Sequence, residues 1–297
     1  MLPSSVVPTP TQIAPAFYSG IAVVLWGAAD FAGGYGSRRN NAFVLTAFSH
    51  LCAFVLMGTI ALSQHGVFPS RNAILWAILA GAIGGFSLAI FYRALASGQM
   101  GLTAPVAALL GAAIPTLVDI GIEGAPRRWS ILGFVLAVMA IWLITRPERA
   151  GGLEQVAEER GGHPAGVAMA ALAGVGFAGF YLCIHQASGS PVWVAAISRI
   201  GSFTSTMIAV FWMRAPLSLR PSGITLGAVA GSFDIIASTL FIFASQHGRL
   251  DEAVVITSLY PAVTVLLARV FLKEHFSRWR FIGLLAALAS VPLIAAG

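Results

Sequence analysis

The chain has 297 residues, of which 58% are hydrophobic and only 9% are charged, and its formal net charge is +6. This composition excludes a soluble domain, in which about a quarter of the residues are charged, and it excludes a disordered chain. The chain has only two cysteines, which excludes a disulfide-rich scaffold. Because the basic residues are scattered between apolar blocks, they are typical of charges flanking membrane spans and not of a nucleic-acid-binding surface, so we predict a polytopic protein of the lipid bilayer with no nucleic-acid partner.

Ten segments of the sequence are long and apolar enough to cross a membrane as α-helices, which takes about 20 residues. They are residues 17–36, 43–63, 73–96, 103–122, 129–145, 164–184, 192–213, 222–245, 251–272 and 278–296. Residues 1–16 are rich in Pro, Ser and Thr, lack the basic region of a signal peptide, and are predicted to form a flexible N-terminus. The predicted fold class is an all-α integral membrane protein with ten transmembrane helices.

The two halves of the chain resemble each other when they are aligned without gaps. A shift of 150 residues places the motif Arg-Trp-x-x-x-Gly that starts at Arg128 on the one that starts at Arg278, and a shift of 149 residues places Ser49 on Ser198. Five spans are an odd number, so the second unit enters the membrane from the opposite face, as in an inverted-topology repeat. We predict a first five-helix repeat over 17–145, a polar linker over 146–163 and a second five-helix repeat over 164–297.

The second half contains three short motifs that follow one another closely. Leu259–Thr264 has the sequence LYPAVT, Phe271–Glu274 has the sequence FLKE, and Gly283 lies in the last predicted helix. Together they resemble the EamA-type branch of the drug/metabolite transporter superfamily, with its Pro in the ninth helix, its Leu-x-Glu turn and its Gly in the final helix. The first helix, with Leu25-Trp26-Gly27, is similar to the family as well.

The resemblance implies a secondary transporter of the bacterial cytoplasmic (inner) membrane that works by alternating access. Its substrate would be a small polar metabolite, an amino acid or a related compound, moved by export. Separately from the resemblance, we predict protons as a candidate coupling ion and a monomer or weak dimer as the assembly. A multidrug or nucleotide-sugar-like carrier of the same fold is an alternative, and so is a non-transporting membrane scaffold or sensor. The first half departs from the family pattern, since Gly111 stands where the repeat would place Pro261.

Ionisable residues inside the apolar segments are the strongest functional signal, because a charge at the centre of a bilayer costs about 2.5–3.5 kcal/mol on insertion scales. Asp30, His50, Arg199 and Asp234 all fall within about 6 Å of the membrane centre when a rise of roughly 1.5 Å per residue is applied. Asp30–His50 and Arg199–Asp234 are compatible in depth as pairs. They could be static pairs that hold helices together, or they could surround one central cavity.

In the functional interpretation, Asp30 and Asp234 face a wet cavity, where they bind a substrate amine or carry a coupling proton. Arg199 then binds a carboxylate, for which its planar guanidinium is suited, and His50 tunes Asp30. Trp26 lies one helical turn before Asp30 and would provide an aromatic wall for a zwitterion or an organic cation.

Four further residues are candidates for binding or movement. The hydroxyl of Tyr260 needs a polar partner in a dry environment, and a cavity would supply one. Three prolines inside predicted helices remove backbone hydrogen bonds and are candidate hinge or gating residues: Pro105, Pro115 and Pro261.

Sequence signatures of catalysis are absent, since the chain has no Gly-x-Ser-x-Gly, no His-Glu-x-x-His and no Walker motif. No catalytic residue, metal or cofactor is therefore predicted, and an enzyme is not expected.

The orientation of the chain in the membrane stays open. The loops carry four Lys and Arg residues on the membrane face with the termini and ten on the other face, which places both termini outside the cell. The resemblance, by contrast, implies that both termini lie in the cytoplasm.

Overall fold

The computed structural model describes residues 10–64, 66–97, 100–145, 164–272 and 278–295, and within these residues all regular secondary structure is helical. The helices are α1 (Pro10–Ser37), α2 (Ala42–Ser63), α3 (Arg71–Ala96), α4 (Met100–Glu123), α5 (Arg128–Thr145), α6 (Pro164–His185), α7 (Pro191–Trp212), α8 (Pro221–His247), α9 (Leu250–Thr257), α10 (Tyr260–Leu272) and α11 (Arg278–Ala295). Residues 10–16, predicted to be flexible, are helical, and Pro10 suits the first turn because no helical hydrogen bond is required of its nitrogen. Residues 1–9 and the predicted linker 146–163 lie outside the described residues.

Seven segments in the described part of the chain are long and apolar enough to cross a membrane. They are α1, α2, α3, α6, α7, α8 and the stretch Leu250–Phe271, which comprises α9 and most of α10. Two shorter apolar stretches, Val106–Ile122 and Arg128–Ala140, belong to α4 and α5. The prediction of an all-helical, multi-pass membrane protein is confirmed, whereas the number of ten spans stays a prediction.

Helices from the two halves of the chain pack against each other and enclose the centre of the molecule. α1 lies along α8, α3 lies along α6, and α2 and α3 both contact α7. α2 also packs on α8, and α5 packs on α11. Small side chains, mostly Ala, fill much of the buried interface, which allows the helix backbones to approach closely.

The loops of the two halves meet at the ends of α8. At the start of α8, the Asn40 side-chain oxygen accepts a hydrogen bond of 2.9 Å from the Arg220 backbone N–H. At its end, Gln246 donates a hydrogen bond of 2.9 Å to the Ala187 carbonyl. The loop that follows α1 and the loop that follows α6 therefore lie at opposite ends of the helix bundle.

Two glycines bring helices from different halves into direct backbone contact. A Cβ atom on Gly81 of α3 would collide with the Ser198 carbonyl oxygen of α7, and one on Gly231 of α8 would collide with the Ser49 carbonyl oxygen of α2. The hydroxyl of Ser202 donates a 3.0 Å hydrogen bond to the Gly81 carbonyl across the same contact. These contacts set the spacing of α2, α3, α7 and α8, three of which carry His50, Arg199 and Asp234.

Replacing either glycine with alanine is expected to destabilise the protein. Gly81→Ala and Gly231→Ala should each lower the free energy of unfolding by about 1–3 kcal/mol, because the added methyl group forces the backbones apart. Gly58→Ala is the matched control, since nothing lies within 4 Å of a Cβ at this helical position; it should be neutral or stabilising by roughly 0.5–1 kcal/mol. Thermal unfolding in detergent measures all three, and equal effects at the three positions would contradict the close contact.

Candidate functional site

The ninth predicted helix is interrupted beside the centre of the molecule. α9 ends at Thr257 and α10 begins at Tyr260, and the two are joined by a turn in which the Leu259 N–H bonds to the Ile256 carbonyl at 3.1 Å. Pro261 has no N–H with which to continue the helical hydrogen bonding, so the break falls just before it. The interruption brings the Tyr260 side chain to the central cavity.

The other two prolines predicted as hinges do not break their helix. α4 is continuous from Met100 to Glu123 through Pro105 and Pro115, and the side chain of Pro105 lies outside the described side chains. Pro115 is buried. The difference agrees with the sequence, because Gly111 of α4, which lies 150 residues before Pro261, keeps its N–H.

A cavity lies between the helices that surround the centre, and all six predicted binding residues line it. Its walls are formed by Trp26, Asp30, His50, Gly84, Gly85, Leu88, Phe177, Phe180, Tyr181, Arg199, Ser202, Asp234, Ser238 and Tyr260. The space available to the centres of water molecules is about 50 Å³. At roughly 10–15 Å³ for each molecule, this is room for about three to five waters.

One wall of the cavity is a closed network around Asp234. Arg199 Nη1 lies 2.7 Å from Asp234 Oδ2, and Trp26 Nε1 donates a 2.9 Å hydrogen bond to Asp234 Oδ1. Arg199 Nη2 donates to the Ser238 hydroxyl at 2.8 Å. The Arg199–Asp234 pair predicted from depth is present, but both terminal nitrogens of Arg199, expected to bind a substrate carboxylate, are engaged within the protein.

Several polar groups at the cavity have no hydrogen-bond partner among the described residues. No described residue donates a hydrogen bond to the Asp30 carboxylate, although Asp30 is only 5% exposed. Both ring nitrogens of His50, the Tyr260 hydroxyl and Arg199 Nε are also buried without a hydrogen-bond partner among the described residues. Because buried polar atoms are nearly always hydrogen-bonded, such a group of unpaired atoms around one cavity indicates bound water or a polar ligand.

The predicted Asp30–His50 pair is not formed as a hydrogen bond. Asp30 and His50 were predicted to lie at the same depth in the membrane. However, Asp30 is on α1, whereas His50 is on α2, which packs chiefly on α7 and α8 and has few contacts with α1. Neither ring nitrogen of His50 forms a hydrogen bond with Asp30. His50 and Asp30 are therefore separate polar groups in one cavity.

Sequence reasoning missed the aromatic residues of α6. Phe177, Phe180 and Tyr181 line the cavity, and the ring centroids of Trp26 and Tyr181 are 6.0 Å apart. Their spacing of three and four residues places them on one helix face, which is the signal that could have found them. With Trp26 and Tyr260 they surround the polar groups with aromatic surface.

A second polar cluster, also missed, lies at the end of the bundle where α9 begins. Arg249 bonds to both carboxylate oxygens of Asp251 at 3.0 Å and donates to the Gly124 carbonyl at 3.0 Å. Asp119 of α4 accepts a 3.0 Å hydrogen bond from the Asp251 N–H. This cluster ties α4 and the loop after it to the start of α9, away from the cavity.

Membrane helices that surround a buried, charged cavity are the arrangement of a small-molecule transporter, because polar groups within a membrane characteristically line a pathway. The model of the EamA-like transporter family matches residues 164–296. The second half of the chain therefore matches that family, which is part of the drug/metabolite transporter superfamily, and the resemblance seen in the sequence is confirmed. The family consists of transporters and not of enzymes.

The chain shares its fold with a protein of known structure. One solved structure, described as "Crystal structure of protein", superposes with a TM-score of 0.73 and covers 94% of this chain and 97% of its own, at 15% sequence identity. At this identity the similarity shows the fold alone. No curated protein matches the chain.

Proposed function

We propose that the protein is a secondary transporter that exports an amino acid or a related amine-bearing metabolite by alternating access. The observation that carries this proposal is the Asp30 carboxylate, which is buried, has no hydrogen bond or ion pair with a described residue and lines a cavity among aromatic side chains. A carboxylate in such surroundings attracts an ammonium group, both by charge and through the faces of the aromatic rings. Protonation of Asp30 when no substrate is bound would relieve its burial and provides the coupling to protons.

The proposed transport cycle uses two inverted five-helix repeats, over 17–145 and 164–297. In support, the most extensive cross-half contacts have counterparts with the halves exchanged: α1 on α8 corresponds to α6 on α3, and α2 on α8 corresponds to α7 on α3. The equivalent loops after α1 and α6 lie at opposite ends of the bundle. Exchange of conformation between two such units would open the cavity to one side of the membrane and then to the other. Pro261, at the break between α9 and α10, is the proposed hinge.

Accessibility of the cavity to water tests this proposal against a non-transporting scaffold. Leu88 faces the cavity and Leu79, on the same helix at about the same distance from its midpoint, is 46% exposed on the outer surface. In a variant with Cys52 and Cys183 replaced by serine, Leu88→Cys is expected to react with a charged methanethiosulfonate reagent and Leu79→Cys is not, because thiolates form in water and not in lipid. A Leu88→Cys variant that is unreactive from both sides of the membrane contradicts alternating access.

Transport itself is measured in proteoliposomes that contain the purified protein. We expect counterflow of labelled amino acids or of their amine relatives. In cells, we expect export of the substrate that is coupled to the movement of protons. The same assay, extended to cationic drugs and nucleotide sugars, separates the alternative carriers of this fold. Transport of neither amino acids nor amines would contradict the proposed substrate.

A further inference from the structure

The loop between α1 and α2 and the loop between α7 and α8 meet at one end of the bundle and enclose an open pocket. Arg38 and Arg39 come from the first loop and Arg220 comes from the second, and all three are exposed. The space available to the centres of water molecules is about 550 Å³, within the roughly 300–1,000 Å³ that is typical of small-ligand sites. Both halves of the chain therefore contribute cationic groups to one pocket.

Asn40 holds the two loops in a fixed relation to each other. Its side-chain oxygen accepts the 2.9 Å hydrogen bond from the Arg220 N–H, and its amide nitrogen donates a 2.8 Å hydrogen bond to the Gly36 carbonyl. The side chain lies against Gly223 of α8, where an added Cβ atom would come within 2.6 Å of the Asn40 amide nitrogen. The backbone around the pocket is thereby positioned in advance, which lowers the entropy cost of binding a ligand.

The charge of the pocket is not balanced by any residue that the structure describes. The guanidinium groups of Arg38, Arg39 and Arg220 have no carboxylate partner in the described part of the chain, and none of the described residues that line the pocket is acidic. The described acids lie in the central cavity or at the opposite end of the bundle, around Arg249. Because a planar guanidinium donates paired N–H groups to phosphate oxygens, the pocket is suited to a phosphate group.

Apolar side chains beside the pocket indicate that it lies at the level of the membrane surface. Trp212, the last residue of α7, is 87% exposed, and Leu217 is exposed between Pro216 and Ser218, which both line the pocket. Tryptophan at the end of a membrane helix is typical of the interface with water, where the head groups of the lipids lie. A basic pocket beside exposed apolar surface is suited to a ligand with a charged head group and a hydrocarbon tail.

We infer that this pocket binds the phosphate group of an anionic phospholipid. The three arginines donate hydrogen bonds to the phosphate oxygens, and the acyl chains lie along the exposed apolar residues at the end of α7. A lipid bound in this way connects loops from both halves and stabilises this end of the bundle. The site is separate from the central cavity and does not depend on the proposed function, because it can be measured without any transport substrate.

Retention of lipid by the purified full-length protein tests this site. The protein is placed in detergent micelles that contain equal amounts of phosphatidylglycerol and phosphatidylcholine, and the lipids that stay bound are counted by native mass spectrometry. The wild-type protein is expected to retain phosphatidylglycerol ten-fold or more over phosphatidylcholine. Arg38→Gln/Arg39→Gln/Arg220→Gln should lower this preference at least five-fold, because each arginine near an anionic lipid surface contributes about five-fold in affinity.

Two further variants separate the pocket from a general effect of charge. Arg71→Gln/Arg127→Gln/Arg128→Gln removes three exposed arginines from the opposite end of the bundle and should leave the preference within two-fold of the wild-type value. Asn40→Ala keeps every charge but releases the two loops from each other, and it should lower the preference at least two-fold. Thermal unfolding in phosphatidylcholine alone should be the same for the wild-type protein and the two triple variants, since all six arginines are exposed.

The possible results distinguish a lipid from other anions. Equal losses of preference in the two triple variants, or no loss in the variant of the pocket, overturn the site and leave the transporter proposal standing. Glycerol 3-phosphate carries the phosphate without acyl chains, and at millimolar concentration it is expected to leave phosphatidylglycerol bound. Its displacement of the lipid would assign the pocket to a soluble phosphate compound and overturn the inference of a phospholipid.

Discussion

Asp30→Asn is expected to reduce transport in proteoliposomes by about 100-fold or more. The change keeps the size of the side chain but removes the charge that attracts the substrate ammonium group, and a charge–charge contact is much stronger in a buried site than in water. The variant should unfold at the same temperature as the wild-type protein or at a higher one, since Asp30 is a buried carboxylate with no partner among the described residues. Loss of function with a gain in stability is the mark of a residue kept for binding.

Asp251→Asn is the matched control for this prediction. Asp251 is another fully buried acid, but it bonds to Arg249 at the end of the bundle and lies away from the cavity. Its replacement is expected to lower stability, because the pairing with Arg249 is weakened, and to leave ligand binding intact. Transport by Asp30→Asn at the wild-type rate would remove Asp30 from the mechanism.

Arg199→Ala is expected to cause the largest loss of stability among substitutions in the cavity, about 3–5 kcal/mol. The substitution leaves the carboxylate of Asp234 buried with only the Trp26 indole as a donor, and breaking one side of a buried ion pair has a cost of this order. The Ser238 hydroxyl loses its donor as well. Thermal or denaturant-induced unfolding in detergent measures the effect.

The double variant Arg199→Met/Asp234→Leu separates a structural role of the pair from a role in transport. Replacing both charges with apolar residues of similar volume removes the burial cost of the ions, so the double variant should regain most of the stability lost in Arg199→Ala. We expect no transport by the double variant in proteoliposomes, because the polar wall of the cavity is gone. A double variant that is stable and also transports would assign the pair to holding α7 and α8 together.

The depth of the charged residues could be predicted from the sequence without knowledge of packing. A membrane helix rises by a constant amount per residue, and the bilayer has a set thickness, so position in an apolar segment translates directly into distance from the centre. For this reason Asp30, His50, Arg199 and Asp234 were expected near one level, and all four line one cavity. The break before Pro261 could also be anticipated, since proline lacks the N–H that a continuous helix uses.

The residue with which each buried polar side chain pairs could not be predicted in the same way. Two residues at one depth meet only if their helices are neighbours and are rotated toward each other, and this depends on contacts distant in sequence. Arg199 meets Asp234 because α7 packs on α8, whereas His50 and Asp30 remain apart. Trp26, expected to face a ligand beside Asp30, donates its N–H to Asp234.

The sequence by itself determined that this chain is a helical membrane protein with a family relation in its second half and a small set of charges inside its apolar helices. Those features depend on composition, periodicity and local chemistry, each of which acts within one helix. Only the tertiary structure decided which charges are paired and which are left open to a ligand. The physical reason is that pairing depends on the rotation and contact of helices more than thirty residues apart in the chain, as for Arg199 and Asp234, and no local rule specifies that rotation.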